Sequence, residues 1–121
     1  MRYMVLMYSK PAETKVMPGS DLETIMHKHE KLRTELTESG ELLNGAGLVF
    51  PESTTNLRWR DSAPATAVDG PLVDGDEHMT AYYVFDCADR ERALALAERL
   101  LDFHVTAVEV REIHDSVGFP S

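Results

Sequence analysis

Two segments of the chain are apolar on both alternations, which is the pattern of a strand covered on both faces. The first is residues 2–9, and the second is residues 79–85. A half-buried strand would instead alternate apolar and polar positions, so both segments should lie inside a layered structure. In the first segment the two sets are Tyr3, Val5 and Met7 on one face and Met4, Leu6 and Tyr8 on the other. Residues 105–113 predict a further strand at the end of the chain.

Two other segments have the i, i+3, i+4 spacing of amphipathic helices. Ser20 and Glu23 have the spacing of a capping box, which predicts a first helix that begins at Asp21 after a loop. Gly40 should end this helix, because glycine readily takes the left-handed conformation there. Asp89 is placed as the N-cap of the second helix. The predicted buried stripes are Leu22, Ile25, Met26, Leu32 and Leu36 in the first helix, and Ala93, Leu94, Ala97, Leu100 and Leu101 in the second.

The region between the helices predicts strands interrupted by turns. Residues 42–50 contain two glycines, at 45 and 47, and indicate a strand bent or bulged there. Residues 54–60 and 65–69 form a hairpin pattern around the turn residues 61–64. Trp59, in the first arm of this hairpin, is expected to pack on the sheet.

The order β-α-β-hairpin-β-α-β predicts an α+β fold of the ferredoxin-like, split βαβ type. It implies an antiparallel sheet with both helices on one face, in a single domain over residues 1–113 that is followed by a tail at 114–121. The second face of the sheet is also apolar, and a monomer would leave it in water. We therefore expect a homodimer that packs sheet to sheet.

Composition and charge narrow the classes of partner. The 121 residues have a net charge of −9 and a pI near 4.9, which argues against binding to nucleic acid or to an anionic membrane. The first apolar run is too short for a signal peptide or a membrane span. Cys87 is the one cysteine and is expected to act as a small hydrophobic residue. These features predict a cytoplasmic protein.

Residues 68–86 carry the most specific motif of the chain. A turn-forming Asp69-Gly70-Pro71 is followed by an acidic loop at 74–77 and then by the aromatic strand with Tyr82 and Tyr83. This order resembles the signature of the YciI-like (YCII-related) proteins, in the branch named for its Asp-Gly-Pro-Phe motif. Leu72 stands where that branch usually has Phe, and the acidic loop replaces a segment that contains lysine. The resemblance implies a dimeric α+β barrel, but the family has no single established reaction.

His29 is the strongest candidate for chemistry. It has the helical spacing of Ile25 and Leu32, so its imidazole should be partly buried, and an unperturbed histidine titrates in the range that suits a general base. A histidine on an apolar stripe is also commonly a hydrogen-bonded core residue. The resemblance implies a histidine–aspartate pair with His29 as the histidine. Its partner is Asp69, on the rigid turn, or Asp102, after the second helix; turn capping and helix-end capping are the competing structural roles for these two carboxylates.

The remaining site expectations concern ligands. Candidates to line a pocket beside His29 and Asp69 are Tyr8, His78, Tyr82, Asp102 and His104. The chain has five histidines that could bind a metal, but His27 and His29 are two residues apart on a helix and point to different faces. We therefore expect no metal and no cofactor. The resemblance then favours a lyase or isomerase that moves a proton on a small cyclic or aromatic acid or phenol. The alternative is a non-catalytic binding or regulatory module that accompanies a sigma factor.

Overall fold

The computed structural model describes residues 1–120 and shows a mixed α+β fold. Its elements are β1 (Arg2–Ser9), α1 (Pro11–Lys15), α2 (Gly19–Glu38), β2 (Leu42–Gly47), β3 (Thr55–Asn56), β4 (Val68–Asp69), β5 (His78–Asp86), α3 (Arg90–Glu98) and β6 (Ala107–Glu112), with a short 3₁₀ turn at Pro51–Ser53. The α+β class predicted from the sequence is confirmed.

The main sheet has four antiparallel strands in the order β2-β5-β1-β6. The first strand therefore lies in the middle, and Val5 is paired with Tyr83 on one side and with Val110 on the other. The two strands that are apolar on both alternations, β1 and β5, are the two central strands. Each is flanked by a strand on both sides, and on the face away from the core Leu6 and Met4 of β1 lie beside Glu109 and Arg111 of β6.

The core lies between one face of this sheet and helices α2 and α3. The odd-numbered residues of β1 are buried in it, while Met4, Leu6 and Tyr8 on the other face are only partly buried. The buried cluster joins strand, helix and loop residues and consists of Tyr3, Val5, Met7, Leu32, Leu36, Tyr83, Phe85, Cys87, Ala93, Leu96, Ala97, Leu100 and Val105. Cys87 is buried as expected. Both long helices pack on the same face of the sheet.

Of the two predicted ends of α2, only the C-terminal end is correct. The predicted start at Asp21 is wrong, because α2 begins at Gly19 after Pro18, and no side chain caps it. Ser20 is already inside the first turn, so its hydroxyl is not placed to cap. The predicted end is confirmed: Gly40 has φ +80°, and the Glu41 amide donates to the Leu36 carbonyl at 2.9 Å, as in a Schellman motif.

The segment before α2 was predicted to be a loop, and this is wrong. Residues Pro11–Lys15 form the short helix α1, with proline in its first turn. Proline has no backbone N–H to lose at that position and its φ suits the first turn of a helix.

The buried stripes differ from the predicted ones because each helix packs over only part of its surface. In α2 only Leu32 and Leu36 are buried, while Leu22 and Met26 are exposed, Met26 at 69%. The buried residues of α2 therefore lie in its second half, and Ile25 in the first half is only partly buried. In α3, Leu96 is buried and Leu94 is exposed, and Leu101 just after the helix is exposed as well.

The region from Gly47 to residue 77 is less regular than predicted. Strand β2 ends at Gly47, with a register shift between Leu42 and Asn44, so the expected extension to residue 50 is wrong. The hairpin is confirmed, but its pairing is limited to two residues on each side, β3 with β4. Trp59 does not pack on the sheet and is 85% exposed.

Candidate functional site

A cavity of about 260 Å³ lies beside the second half of α2, on the core side of the sheet. Its walls come from α1, α2, the ends of β1 and β2, the first half of β5 and the segment before β6. The polar groups that line it are Ser9, Thr14, His29, Arg33, Thr80, Tyr82, Tyr83 and His104, and the apolar part includes Met7, Leu48 and Phe50. Two histidines that are 75 positions apart in sequence therefore meet at one cavity.

The centre of this site is a hydrogen-bonded group of three side chains. The Tyr83 hydroxyl lies 2.9 Å from Nδ1 of His29, and Arg33 Nε donates to the same hydroxyl oxygen at 3.0 Å. The His29 and Tyr83 rings also stack, with centroids 5.9 Å apart. His29 and Arg33 are four residues apart on α2 and share a face of the helix, so one tyrosine of the sheet can contact both.

Gly45 of β2 allows the Tyr83 ring to take this position. A Cβ atom at residue 45 would lie 2.6 Å from Cδ1 of Tyr83 and 2.8 Å from the Tyr82 carbonyl oxygen. No side chain fits at such distances, so glycine is required here by close approach. The glycine that the sequence marked as a bend in the strand is thus a determinant of the site.

The environment of His29 favours its neutral form. Burial lowers the pKa of His29, and the positive charges of Arg33 and Lys28 lower it further, against a smaller opposing effect of Asp102. A neutral imidazole has one acceptor nitrogen. Because the Tyr83 oxygen already accepts from Arg33, the bond is best satisfied if the Tyr83 O–H donates to Nδ1, which leaves the proton on Nε2.

Apart from two tyrosines, the ionisable groups that line the cavity are basic. Arg33, His29 and His104 face it, and no Asp or Glu of residues 1–120 is among its lining residues. Within the same residues, the terminal nitrogens of Arg33 have no hydrogen bond or ion pair, since only Nε is engaged. Among the described residues that line this cavity, Arg33 is therefore the one formally charged side chain, in a chain with a net charge of −9.

His104 is held in place by its neighbours. Its Nδ1 lies 3.2 Å from the Thr14 hydroxyl, and its backbone N–H donates to Asp102 Oδ1 at 2.7 Å. Asp102 also accepts from the Val105 amide at 2.7 Å and from Lys28 Nζ at 2.8 Å. Burial acts to raise the pKa of Asp102, but these hydrogen bonds outweigh it and the pKa is lowered. Asp102 therefore stabilises the loop that carries His104.

The structure brings together some of the site residues predicted from the sequence and separates others. His29, Tyr82 and His104 line the cavity. Asp69 and Asp102 do not line it, and neither is hydrogen-bonded to His29. Asp69 is exposed on β4, where the backbone of this residue pairs with that of Thr55.

Tyr8 and His78 also lie outside the cavity. The Tyr8 hydroxyl donates to Glu109, a residue on the face of the sheet that the helices do not cover, and this hydrogen bond raises the pKa of Tyr8. The His78 ring is hydrogen-bonded through Nε2 to the Gly75 carbonyl at 2.8 Å.

Sequence reasoning missed Arg33 and Tyr83 as members of the site. A signal existed for both: Arg33 follows His29 by one helical turn, and Tyr83 lies on the alternation of β5 that pairs with the buried face of β1. Ser9 and Thr80 were missed as well, and their hydroxyls are 2.7 Å apart at the cavity wall. These two lie on separate strands, and no sequence spacing relates them.

The described residues show neither a metal-holding group nor a membrane-spanning helix. No group of three or more His, Cys, Asp or Glu side chains in residues 1–120 is arranged to hold a metal ion. Among the same residues, no helix combines the length and the apolar character that a bilayer crossing requires.

Comparison with known proteins identifies the family of this chain. The chain is 28% identical over 100 residues to an uncharacterised protein of Rhizobium meliloti (strain 1021), and the match covers 83% of this chain and 80% of that protein. The family model described as the YCII-related domain matches residues 1–116. The chain therefore belongs to the YCII-related domain family, as the sequence resemblance predicted.

Proposed function

We propose that the cavity beside α2 binds a small organic anion, a carboxylate or a phenolate, and that the protein is a cofactor-independent lyase or isomerase that moves a proton on this ligand. The observation that supports this most is the set of lining side chains: Arg33, His29 and His104 without an opposing carboxylate. The volume of about 260 Å³ suits a ligand smaller than most drug-sized molecules.

Arg33 supplies the main attraction for the anion. Its Nε is fixed on Tyr83, which orients the guanidinium plane and leaves both terminal nitrogens for a ligand. A planar guanidinium binds a carboxylate through two parallel N–H donors. The apolar part of the ligand would then lie against Leu48 and Phe50.

Tyr83 and His29 supply the proton transfer, in place of the histidine–aspartate pair expected from the resemblance. In the forward step the Tyr83 oxygen accepts a proton from the ligand while the Tyr83 proton passes to Nδ1 of His29, which becomes imidazolium. Arg33 Nε–H stabilises the negative charge that develops on the Tyr83 oxygen during this exchange. Return of the proton to another ligand atom restores both groups, as an isomerase requires.

Ligand binding is tested first. Benzoate, phenol and small aliphatic acids are titrated into the protein, and the shift of the His29 ring proton is followed by NMR. Arg33→Gln is compared with Arg60→Gln, which removes the same charge from an exposed side chain outside the cavity. We expect about tenfold weaker binding for Arg33→Gln only. Equal affinities of the two variants would contradict a ligand site at this cavity.

Catalysis is tested separately with any ligand that binds. The ligand is kept with the protein in D₂O, and deuterium incorporation next to its carboxylate or on its ring is measured by NMR. We expect incorporation with the natural chain and none with His29→Gln or Tyr83→Phe. Saturable binding without incorporation would favour the alternative, a ligand-binding or regulatory module of the kind that accompanies a sigma factor.

We also propose that the protein works as a ferredoxin-like homodimer. The order β2-β5-β1-β6 supports a ferredoxin-like split βαβ plan, and the Asp69-Gly70-Pro71 turn supports the Asp-Gly-Pro-Phe branch of the family. On the uncovered face, Met4 and Leu6 of β1 are only partly buried, and a second copy would cover them. A homodimer predicts twice the monomer mass in light scattering at micromolar concentration, and a monomer there rules it out.

A further inference from the structure

A second cavity, of about 590 Å³, adjoins the first one. Gly47 and Leu48 line both, so the end of β2 and the residue after it form a common wall. The second cavity has no charged residue among its lining residues in the described chain. Its polar members are Thr54 and His78, and the Nε2 atom of His78 is already hydrogen-bonded to the Gly75 carbonyl. This cavity suits an apolar group.

The Asp69-Gly70-Pro71 turn builds one wall of this second cavity. The Gly70 amide donates to the Thr54 carbonyl at 2.7 Å, and the Asn56 side-chain amide donates to the Gly70 carbonyl at 2.9 Å. Gly70 has φ +111°, a conformation that L side chains rarely adopt. These two hydrogen bonds hold the turn in place. Pro71 of the turn and the next two residues, Leu72 and Val73, line the cavity.

The apolar side chains of this wall are not covered by the rest of the chain. Leu48 and Leu72 are about half exposed and Val73 is 69% exposed, although all three line one cavity. Burying such groups against an apolar molecule is favourable. The structure therefore holds a basic cavity and an apolar cavity on either side of Leu48.

We propose that the ligand is a monocarboxylate with an extended apolar tail. Its head binds at Arg33 in the first cavity, and its tail passes Leu48 and lies against Leu72 and Val73 in the second. This inference rests on the proposed anion site and adds the class of ligand. It also gives the Asp69-Gly70-Pro71 motif a role, which is to hold the apolar wall and not to supply a catalytic carboxylate.

The experiment uses straight-chain carboxylates from butanoate to decanoate, titrated into the natural chain by NMR and calorimetry. We expect affinity to rise about two- to fourfold for each methylene once the tail exceeds the first cavity. Val73→Ser should weaken decanoate binding about three- to tenfold and leave butanoate binding unchanged. Val73 is largely exposed, so this variant should fold normally.

Val117→Ser is the matched control, because Val117 is 96% exposed and lines neither cavity. It should bind every acid as the natural chain does. If affinity is independent of tail length, or if Val117→Ser weakens decanoate as much as Val73→Ser, the tail site is wrong while the anion site stands. If no acid of any length binds, the proposed function itself fails.

Discussion

The Tyr83 hydroxyl lies 2.9 Å from Nδ1 of His29 and joins the central sheet to α2 at the wall of a basic cavity. Tyr83 is almost fully buried, whereas His29 is only partly buried, so the bond connects the core to the ligand site. This contact, and not a histidine–carboxylate pair, is the hydrogen bond that positions the imidazole.

Tyr83→Phe should raise the pKa of His29. The Tyr83 O–H stabilises the neutral imidazole by donating to Nδ1, and its removal takes away one of the causes that favour the neutral form. The measurement is an NMR titration of the His29 ring protons in both proteins. Tyr82→Phe is the control, since the Tyr82 hydroxyl has no partner within residues 1–120, and it should leave the titration unchanged. A lowered pKa of His29 in Tyr83→Phe would show that His29 is the donor in this bond, and an unaltered pKa would show that the bond does not set its protonation.

Gly45→Ala should destabilise the protein by about 1–3 kcal/mol, because its methyl group would overlap the Tyr83 ring and force it to move. Gly47→Ala, two residues later in the same strand, has nothing within 4 Å of the added carbon and should change stability by less than about 0.5 kcal/mol. Urea unfolding of both variants provides the comparison. Similar losses in the two would mean that strand propensity, and not the contact with Tyr83, dominates at residue 45.

The stability of the protein should fall as the pH decreases below about 6.5, in part through His29. Because burial and nearby cations lower the pKa of His29 in the folded state, the unfolded chain takes up the proton first. Stability is then lost as the pH falls from the His29 pKa of the unfolded chain to the lower His29 pKa of the folded chain. Above pH ~6.5 the imidazole is neutral in both states, so His29 contributes no pH dependence there.

Urea unfolding at several pH values, on the natural chain and on His29→Gln, measures this contribution. Carboxylates with lowered pKa, such as Asp102 and Glu41, also cost stability in acid, but both proteins contain them and subtraction removes their effect. The difference between the two unfolding free energies should shrink or change sign toward low pH. A difference that stays constant from neutral to acid pH would contradict the lowered pKa.

The two candidate aspartates, Asp69 and Asp102, should contribute very differently to the stability of the protein. Asp102→Ala removes the acceptor of two backbone amides and of Lys28, and should cost about 1.5–3 kcal/mol. Asp69→Ala removes an exposed side chain and should stay within about 0.5 kcal/mol of the natural chain. Thermal and urea unfolding distinguish the two. If Asp69→Ala proved as costly as Asp102→Ala, the carboxylate at residue 69 would have a partner in solution that the folded chain does not show.

The sequence by itself determined the features that are set by neighbours along the chain. The two-sided strands, the N-cap at Asp89 and the left-handed residue at Gly40 depend on local periodicity and backbone preference, and all are present in the fold. The Asp89 side chain accepts from the Arg92 amide at 2.9 Å, as an N-cap should. The family also followed from a local motif, because a rigid turn needs particular residues in a fixed order.

Only the tertiary structure decided which side chains share the site. Helical spacing placed His29 near the core, but it could not show which half of α2 packs on the sheet, and in the fold Met26 is exposed while Arg33 lines the cavity. Tyr83 is 54 positions from His29 in the chain, and the contact between them exists because β5 packs under α2 at the point where Gly45 leaves room for the ring. Contacts between the helix layer and the sheet depend on the geometry of both surfaces. The hydrophobic pattern of the sequence describes each helix or strand separately, so it does not show which side chains meet.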